Sequence, residues 1–526
     1  MSTNLIAIGP RRSAWRPAAL RAAAVAMAAT LAAYGSAIWI EHRAHLHVDI
    51  VITAVAVALT LARVQLGADL PDRAVGAVVL AASAAGASEV SSLIQRHQVL
   101  GDAAFTVAVA ASIWIRRYGQ RATRVGTVLV VPFVTLLVTQ AQGGPPHPAS
   151  YDLWSALVAA VAAFWVAVFQ LGAGAFGLPE QRRRLASVPV SPAPTASPPA
   201  KRRIPASTRM ACQMAVALAA AFAVGHGLFH EHWPWAVLTA FIVCSGARGR
   251  ADVLHKGLLR AAGAAIGTVV ATAVAGAFPP ADRWSVVVIF AVLALASWLR
   301  ELSYAWWAGS VTAALSLLYG YFGQSSGPLL RTRLEAILAG AALGIAASWF
   351  VLPLRTRDVL KRRVADSLAA LSDFLGAPLG APKDEHCDDQ HEELRLRRDR
   401  FLHTVTLVEQ IAKPLRAQRL LKLGTDHADV VDALHDCVEP VATLADALSK
   451  SSPDARQAWQ PLHHAVAGNI VAVRRAIGRR PGPPYQQAVA DTRTAAGTRT
   501  PAAAALSALD TALAVVNAAY AGPRES

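Results

Sequence analysis

Apolar residues fill twelve stretches between Leu20 and Leu354, each at or near the length of a bilayer crossing, and polar or basic residues gather in the gaps between them. A lipid-spanning helix takes roughly 20 mostly apolar residues, because the hydrocarbon core offers no water to satisfy backbone N–H and C=O groups. The pattern predicts spans at 20–40, 48–66, 74–94, 100–115, 125–142 and 153–178 in a first group. A second group follows at 209–229, 233–246, 257–278, 284–299, 303–322 and 334–354. The stretches 100–115, 233–246 and 284–299 are short for a straight crossing.

After Leu354 the pattern changes. The stretches 357–375, 392–423, 428–448, 456–477 and 501–521 carry apolar residues at helical spacing with polar faces opposite, while 478–500, with Pro481, Gly482, Pro483, Pro484 and Gly497, reads as irregular. The expected fold class is all-α: a polytopic membrane protein with two parallel six-helix transmembrane halves plus a C-terminal cytoplasmic helical domain. Its parts are a cytoplasmic N-terminus (1–19), a first transmembrane half (20–178), a cytoplasmic linker rich in Pro, Ala and Arg (179–207), a second half (208–354) and the helical domain (355–526). The linker run VPVSPAPTASPPAKRRIP cannot bury a core and stays extended.

Basic residues fall mostly on alternate gaps. Arg11, Arg12 and Arg16, then Arg116, Arg117, Arg121 and Arg124, then Arg182 to Arg184 with Lys201 to Arg203, then Arg248, Arg250 and Lys256, and finally Arg355 to Arg363 all share one side. The positive-inside rule makes that side cytoplasmic and puts both termini there, in a multi-pass plasma-membrane protein. The apolar run from Ala22 to Ile40 is long for a signal-peptide core and is read as an uncleaved first span.

Composition sharpens this picture. Hydrophobic residues make up 54% and charged residues 16%, against about a quarter charged in a soluble chain. The net charge of +16 sits largely in loops beside apolar spans, where it sets orientation, so nucleic acid is not an expected partner. Cys212, Cys244, Cys387 and Cys437 have neither a disulfide framework nor zinc spacing. No GxxxxGK[ST], HExxH or GxSxG occurs, so neither nucleotide binding nor hydrolysis is expected, and no enzyme activity, cofactor or metal is implied.

The two groups of spans read as repeats. Thr53 and Ala54, then Arg73 and Gly76, follow the spacing of Thr239 and Ala240, then Arg260 and Gly263, with one residue of slippage. Six crossings return the chain to its starting side, which makes the repeats parallel around an axis along the membrane normal.

Ionisable residues inside spans are the candidates for chemistry, because burying a charge in lipid is costly. Arg260 lies about two turns into its span, where it either snorkels to the interface or lines a cavity in which a planar donor suits a carboxylate. Glu89 lies deep in the third span and Glu335 begins the twelfth; both are carboxyls for a proton or substrate site, against a hydrated or structural role. Trp233 and Trp235 either stack an aromatic ring or anchor the interface. His226, His230 and His232 cluster with Glu231 on the loop ahead of the eighth span. The acidic run from Glu385 to Glu393 reads as an interhelical loop. Gly263 with Gly267, and Gly340 with Gly344, are small-xxx-small pairs for close helix packing.

The segment His230–Gly267, HEHWPWAVLTAFIVCSGARGRADVLHKGLLRAAGAAIG, resembles the signature of the fusaric acid resistance protein-like (FUSC) or aromatic acid exporter family. The residues that carry it are Trp233, Trp235, Ala236, Leu238, Thr239, Arg260, Gly263 and Gly267, with a second family-like piece at Arg333–Pro353. The resemblance implies export of small organic, often aromatic, acids or related toxic compounds, driven by the proton gradient in the absence of any energy-coupling motif. Taken with the residues singled out above, Arg260, its repeat counterpart Arg73, Thr239, Trp233 and Trp235 form a candidate substrate-binding set, with Glu89, Glu335 and His230 as candidate proton-coupling groups. The alternatives are an anion channel, since the family is similar to plant malate channels, and a non-transporting membrane scaffold. Expected partners are the lipid bilayer, a small organic anion, and a second copy of the chain or an envelope protein.

Overall fold

Backbone groups surrounded by apolar side chains have only each other to bond, and helix is the sole regular structure among the described residues of this computed structural model. The structure describes residues 11–46, 49–65, 69–140, 151–175, 204–247, 249–274, 282–300, 304–323, 327–354, 356–376, 387–412, 426–450, 459–488 and 500–521, together with 279 and 415–416.

Twelve helices lie before residue 354 among these residues: α1 (Arg11–Ala44), α2 (Asp49–Val64), α3 (Leu70–Arg96), α4 (Gln98–Trp114), α5 (Gln120–Gln140) and α6 (Tyr151–Ala175), then α7 (Ala206–Val224), α8 (Trp233–Cys244), α9 (Arg250–Val274), α10 (Arg283–Leu299), α11 (Tyr304–Tyr321) and α12 (Gly327–Phe350). Proline marks several starts, with Pro71 in the first turn of α3 and Pro234 in that of α8, where a missing N–H costs nothing. A 3-10 turn at Ile115–Tyr118 extends the fourth crossing to a full span, longer than 100–115. The helix at 233–244 stays short; a π-helical turn (Gly225–Phe229) and a 3-10 turn (His230–His232) fill the gap between α7 and α8.

Nine helices among the described residues are long and apolar enough to cross a membrane, eight of them before residue 354, while α2, α8 and α10 are shorter apolar helices. The surface says the same. Every exposed large hydrophobic residue among those described lies before residue 354, except Leu396, Val471 and Val515. A surface carrying Val78, Val99, Leu153, Phe164, Val269 and Trp284 in the open belongs in lipid, and the protein is a multi-pass membrane protein.

Packing within this unit follows one scheme twice. In the first six helices α1 packs on α2 and α6, α2 on α6, and α3 on α5 and α6; among the next six α7 packs on α8 and α12, α8 on α12, and α9 on α11 and α12. The two sets meet where α4 packs on α7 and α1 on α10, the fourth helix of each against the first of the other, and where α5 packs on α8. Glycine makes the tightest of these contacts. A Cβ on Gly340 would stand 2.2 Å from the Ala236 carbonyl oxygen, and one on Gly267 2.4 Å from that of Gly309, so α8 with α12 and α9 with α11 touch backbone to backbone.

Residues from 356 on form a second compact unit. It holds α13 (Thr356–Leu375), α14 (Cys387–Glu409), α15 (Asp426–Asp436), α16 (Val438–Lys450), α17 (Gln460–Gly478) and α18 (Pro501–Ala521) around a core of Leu360, Phe374, Phe401, Leu434, Val466 and Leu509. Although α18 is apolar enough to span lipid, its Leu506, Leu509, Leu513 and Val516 are spent on this core, so it is a bundle helix. Beside them the fully buried Asp510 carboxylate accepts hydrogen bonds from Asn469 Nδ2 (2.7 Å), the Tyr485 hydroxyl (3.0 Å) and the Ala488 N–H (2.7 Å), pinning the irregular strand of chain at 481–488.

Two expectations change here. The stretch 428–448 is not one helix but α15 and α16, divided at Cys437, because Pro440 has no N–H to donate and fits only the first turn of a new helix. The acidic run is helical from Cys387 onward rather than loop, in keeping with the preference of acidic residues for a helix N-terminus; residues 385–386 lie outside the described residues. The linker at 179–203 lies outside them too.

Candidate functional site

Trp235, two residues into α8, is 1% exposed, and α8 is buried on nearly every face, as an apolar helix inside a bundle must be. Trp233 is buried as well, its ring 4.7 Å from that of His226 and 5.4 Å from that of Phe222. Both indoles are packed among helices rather than on the outer surface, Trp233 against the π turn and Trp235 against α11 and α12, which leaves little of either ring to act as an interfacial anchor.

Against Trp235 stands a cation that the sequence analysis did not single out. The Arg333 guanidinium, 3% exposed and six residues into α12, lies 3.9 Å from the centre of the Trp235 ring and 5.6 Å from that of Tyr319. Its Nη1 donates to Ser316 Oγ at 3.0 Å and its Nη2 to the Thr312 carbonyl at 3.3 Å, while Nε has no partner among the described residues. Thr239, one turn beyond Trp235 on the same face of α8, is fully buried, its hydroxyl without a partner among the described residues.

Arg260 is 2% exposed and does not snorkel. Its Nε is enclosed without a hydrogen-bond partner among the described residues, and the ionisable groups near enough to act on it are Tyr304 and Arg333. Contacts of Gly263 with Ala305 and of Gly267 with Thr312 show that α9 and α11 run side by side in one direction. Arg260 thus sits at the Tyr304 end of α11 and Arg333 beside Thr312 and Ser316, on the order of 12 to 18 Å further along at 1.5 Å per residue. No carboxylate among the described residues forms an ion pair with either guanidinium. Two buried cations with no carboxylate paired to them among the described residues are costly, and an anion at the site would offset that cost.

Residues 216–347 match the family model described as Fusaric acid resistance protein-like. This segment is a fusaric acid resistance protein-like region. It runs from inside α7 to inside α12 and contains Trp235, Thr239, Arg260, Tyr304, Ser316 and Arg333, so the site described above falls within the FUSC-like region. No curated protein and no solved structure matches the chain.

The remaining candidates lie elsewhere. Arg73, in the first turn of α3, is buried but answered: its Nη1 donates to Gln170 Oε1 at 2.7 Å, and Gln170 Nε2 donates to the Ala62 carbonyl at 2.5 Å. Glu89 is exposed on the outer face of α3, since the buried stripe of that helix runs through Leu80, Ala84, Ala87, Ser91 and Ile94. Glu335 is exposed and paired with the exposed Arg331 at 2.9 Å. His230 is exposed at the turn, with a φ of 43°. The structure places none of these three in the enclosed setting expected of a proton site, because each falls on the side of its element that faces away from the helix packing. Among the described residues no three His, Cys, Asp or Glu side chains gather as metal ligands would.

Proposed function

We propose that the protein is a secondary transporter that exports small organic anions, aromatic acids foremost, across the plasma membrane, with two parallel six-helix halves and both termini in the cytoplasm. The observation that carries this reading is the pair of buried arginines, Arg260 and Arg333, strung along α11 with no carboxylate among the described residues paired to either. A carboxylate entering near Arg260 meets a permanent planar donor, and further along Arg333 offers a second, flanked by Trp235 and Tyr319. Flat apolar rings beside a cation favour a substrate that is itself an aromatic ring bearing an acid. The recurrence of helix pairings between α1–α6 and α7–α12 supports the two-halves arrangement, and the family match supports transport.

The test is flux through the reconstituted full chain. Vesicles holding the wild-type protein are expected to exchange radiolabelled benzoate for unlabelled benzoate, and Arg260→Gln and Arg333→Gln to lose exchange about tenfold or more, the scale of losing one charge-assisted contact. Exchange by both variants at the wild-type rate would remove the arginines from the pathway.

A further inference from the structure

Asp102 and His226 form an ionisable pair at the contact between α4 and the π-helical turn after α7. Asp102 Oδ2 is 3.1 Å from His226 Nε2, and the two side chains are 15% and 20% exposed. The pair is close but not aligned as a hydrogen bond, and Asp102 Oδ1 is enclosed with no partner among the described residues. Aromatic rings wall it in. Phe222 stacks on the His226 imidazole at 6.0 Å, Trp233 lies 4.7 Å away, and Phe105, one turn beyond Asp102, meets Phe222 edge-on at 5.5 Å. The π turn is what aims His226 at α4, and single π turns inside helices recur at functional sites.

Other charges keep their distance. The near end of α3 carries Glu89, Arg96 and His97, all exposed. Arg121 and Arg124 of α5, Arg209 and Cys212 of α7 and Cys244 of α8 sit at the opposite ends of their helices. On α12, Arg331 and Glu335 pair with each other and Arg333 turns to Trp235. The 3-10 turn adds His230, exposed, and His232, partly buried.

We propose that Asp102 and His226 form the proton-binding site of this transporter, coupling proton entry to anion export. The inference rests on the transport reading above. Protonation of the imidazole converts a lone buried carboxylate into an ion pair and holds α4 to the turn; when the contact opens to water the proton leaves and the carboxylate is hydrated. The pair and the anion site share α8: His226 lies against Trp233 in its first turn, and Trp235, two residues on and on a different face, lies under Arg333.

The experiment compares two modes of benzoate flux in vesicles holding the full chain. Asp102→Asn and His226→Gln are expected to lose pH-gradient-driven accumulation about tenfold or more, a typical coupling between two sites, while retaining exchange at equal pH. Accumulation at the wild-type level in both variants overturns the proposal, as does loss of both modes in protein that elutes like wild type, which marks the pair as structural. A second measurement does not need a substrate. The part of the tryptophan emission removed by Trp233→Phe should vary with pH in the wild type and become constant in His226→Gln; constancy in the wild type overturns the proton site. Wild-type vesicles that exchange no benzoate sink the transport reading, and the Trp233 emission still decides on the pair.

Discussion

The Arg333 guanidinium faces the Trp235 ring at 3.9 Å, a cation from α12 laid on an indole from α8. The two helices can approach this closely because Gly340 leaves the Ala236 carbonyl bare. A desolvated cation–π contact contributes about 2 kcal/mol or more, and Arg, unlike Lys, keeps a planar fork free to bind a carboxylate while it stacks.

The first prediction follows from that geometry. Arg333→Lys should raise the KM for benzoate and Arg333→Gln raise it further, with Trp235→Phe milder than Trp235→Leu, since Phe keeps a π face. Losses on the order of tenfold in KM correspond to about 1.4 kcal/mol. Saturation curves for benzoate and for acetate check it. An equal effect of Trp235→Leu on both anions would show that the ring does not read the aromatic part of the substrate.

Arg73 and Arg260 make a contrast between the two sets of helices. The first is bonded to Gln170, the second lacks a partner at Nε among the described residues. Gln170→Leu should therefore lower the midpoint of thermal unfolding in detergent, by an amount reflecting about 1.5 to 3 kcal/mol for a lost hydrogen bond to a charged group, and leave benzoate KM unchanged. Arg260→Gln should do the reverse. If Arg260→Gln unfolds as early as Gln170→Leu, Arg260 is a structural cation.

Helix content and the membrane class were legible because both depend on long apolar runs, which local sequence carries in full. Burial of Arg260 was half legible: its depth in a span was plain, but snorkelling and burial differ only in which neighbour faces it. Arg333, Trp235 and Thr239 converge from α12 and α8, far apart in sequence, and periodicity cannot pair helices. Glu89 misled for a related reason. In an Ala-rich helix both faces look apolar, so the buried stripe through Leu80, Ala84, Ala87, Ser91 and Ile94 had no contrast to reveal it, and a residue opposite that stripe read as deep. Asp102 lies near the start of the short span 100–115, and nothing in the sequence marks the π turn that brings His226 to it.

Glycine contacts give a prediction independent of transport. A methyl group on Gly340 would meet the Ala236 carbonyl at 2.2 Å, whereas one on Gly86 meets nothing within 4 Å. Both are helical, so propensity favours Ala at each by roughly 1 kcal/mol and cannot separate them. Gly340→Ala should destabilise by about 1 to 3 kcal/mol through overpacking, and Gly86→Ala should be neutral or slightly stabilising. Thermal unfolding in detergent checks the pair, and equal midpoints would mean that α8 and α12 do not touch at this glycine.

The second unit carries a pH dependence of its own. Burial pushes the His463 imidazole below its ordinary value of 6.5, with His464 alongside adding to the effect, and burial lowers His403 as well, helped by Arg363. A base kept neutral by folding binds fewer protons than the unfolded chain does. Its stabilising contribution is therefore complete above pH 6.5 and declines as the pH falls below that value, toward the lowered folded-state value. Hydrogen–deuterium exchange of α17 in the full chain, corrected for intrinsic rates, should accelerate between about pH 7.5 and about pH 5. His463→Leu fills the same buried position without a titrating group, and it should remove much of that acceleration. Exchange in α17 that ignores pH, or that responds identically in the variant, would show that His463 does not bear on the stability of this bundle.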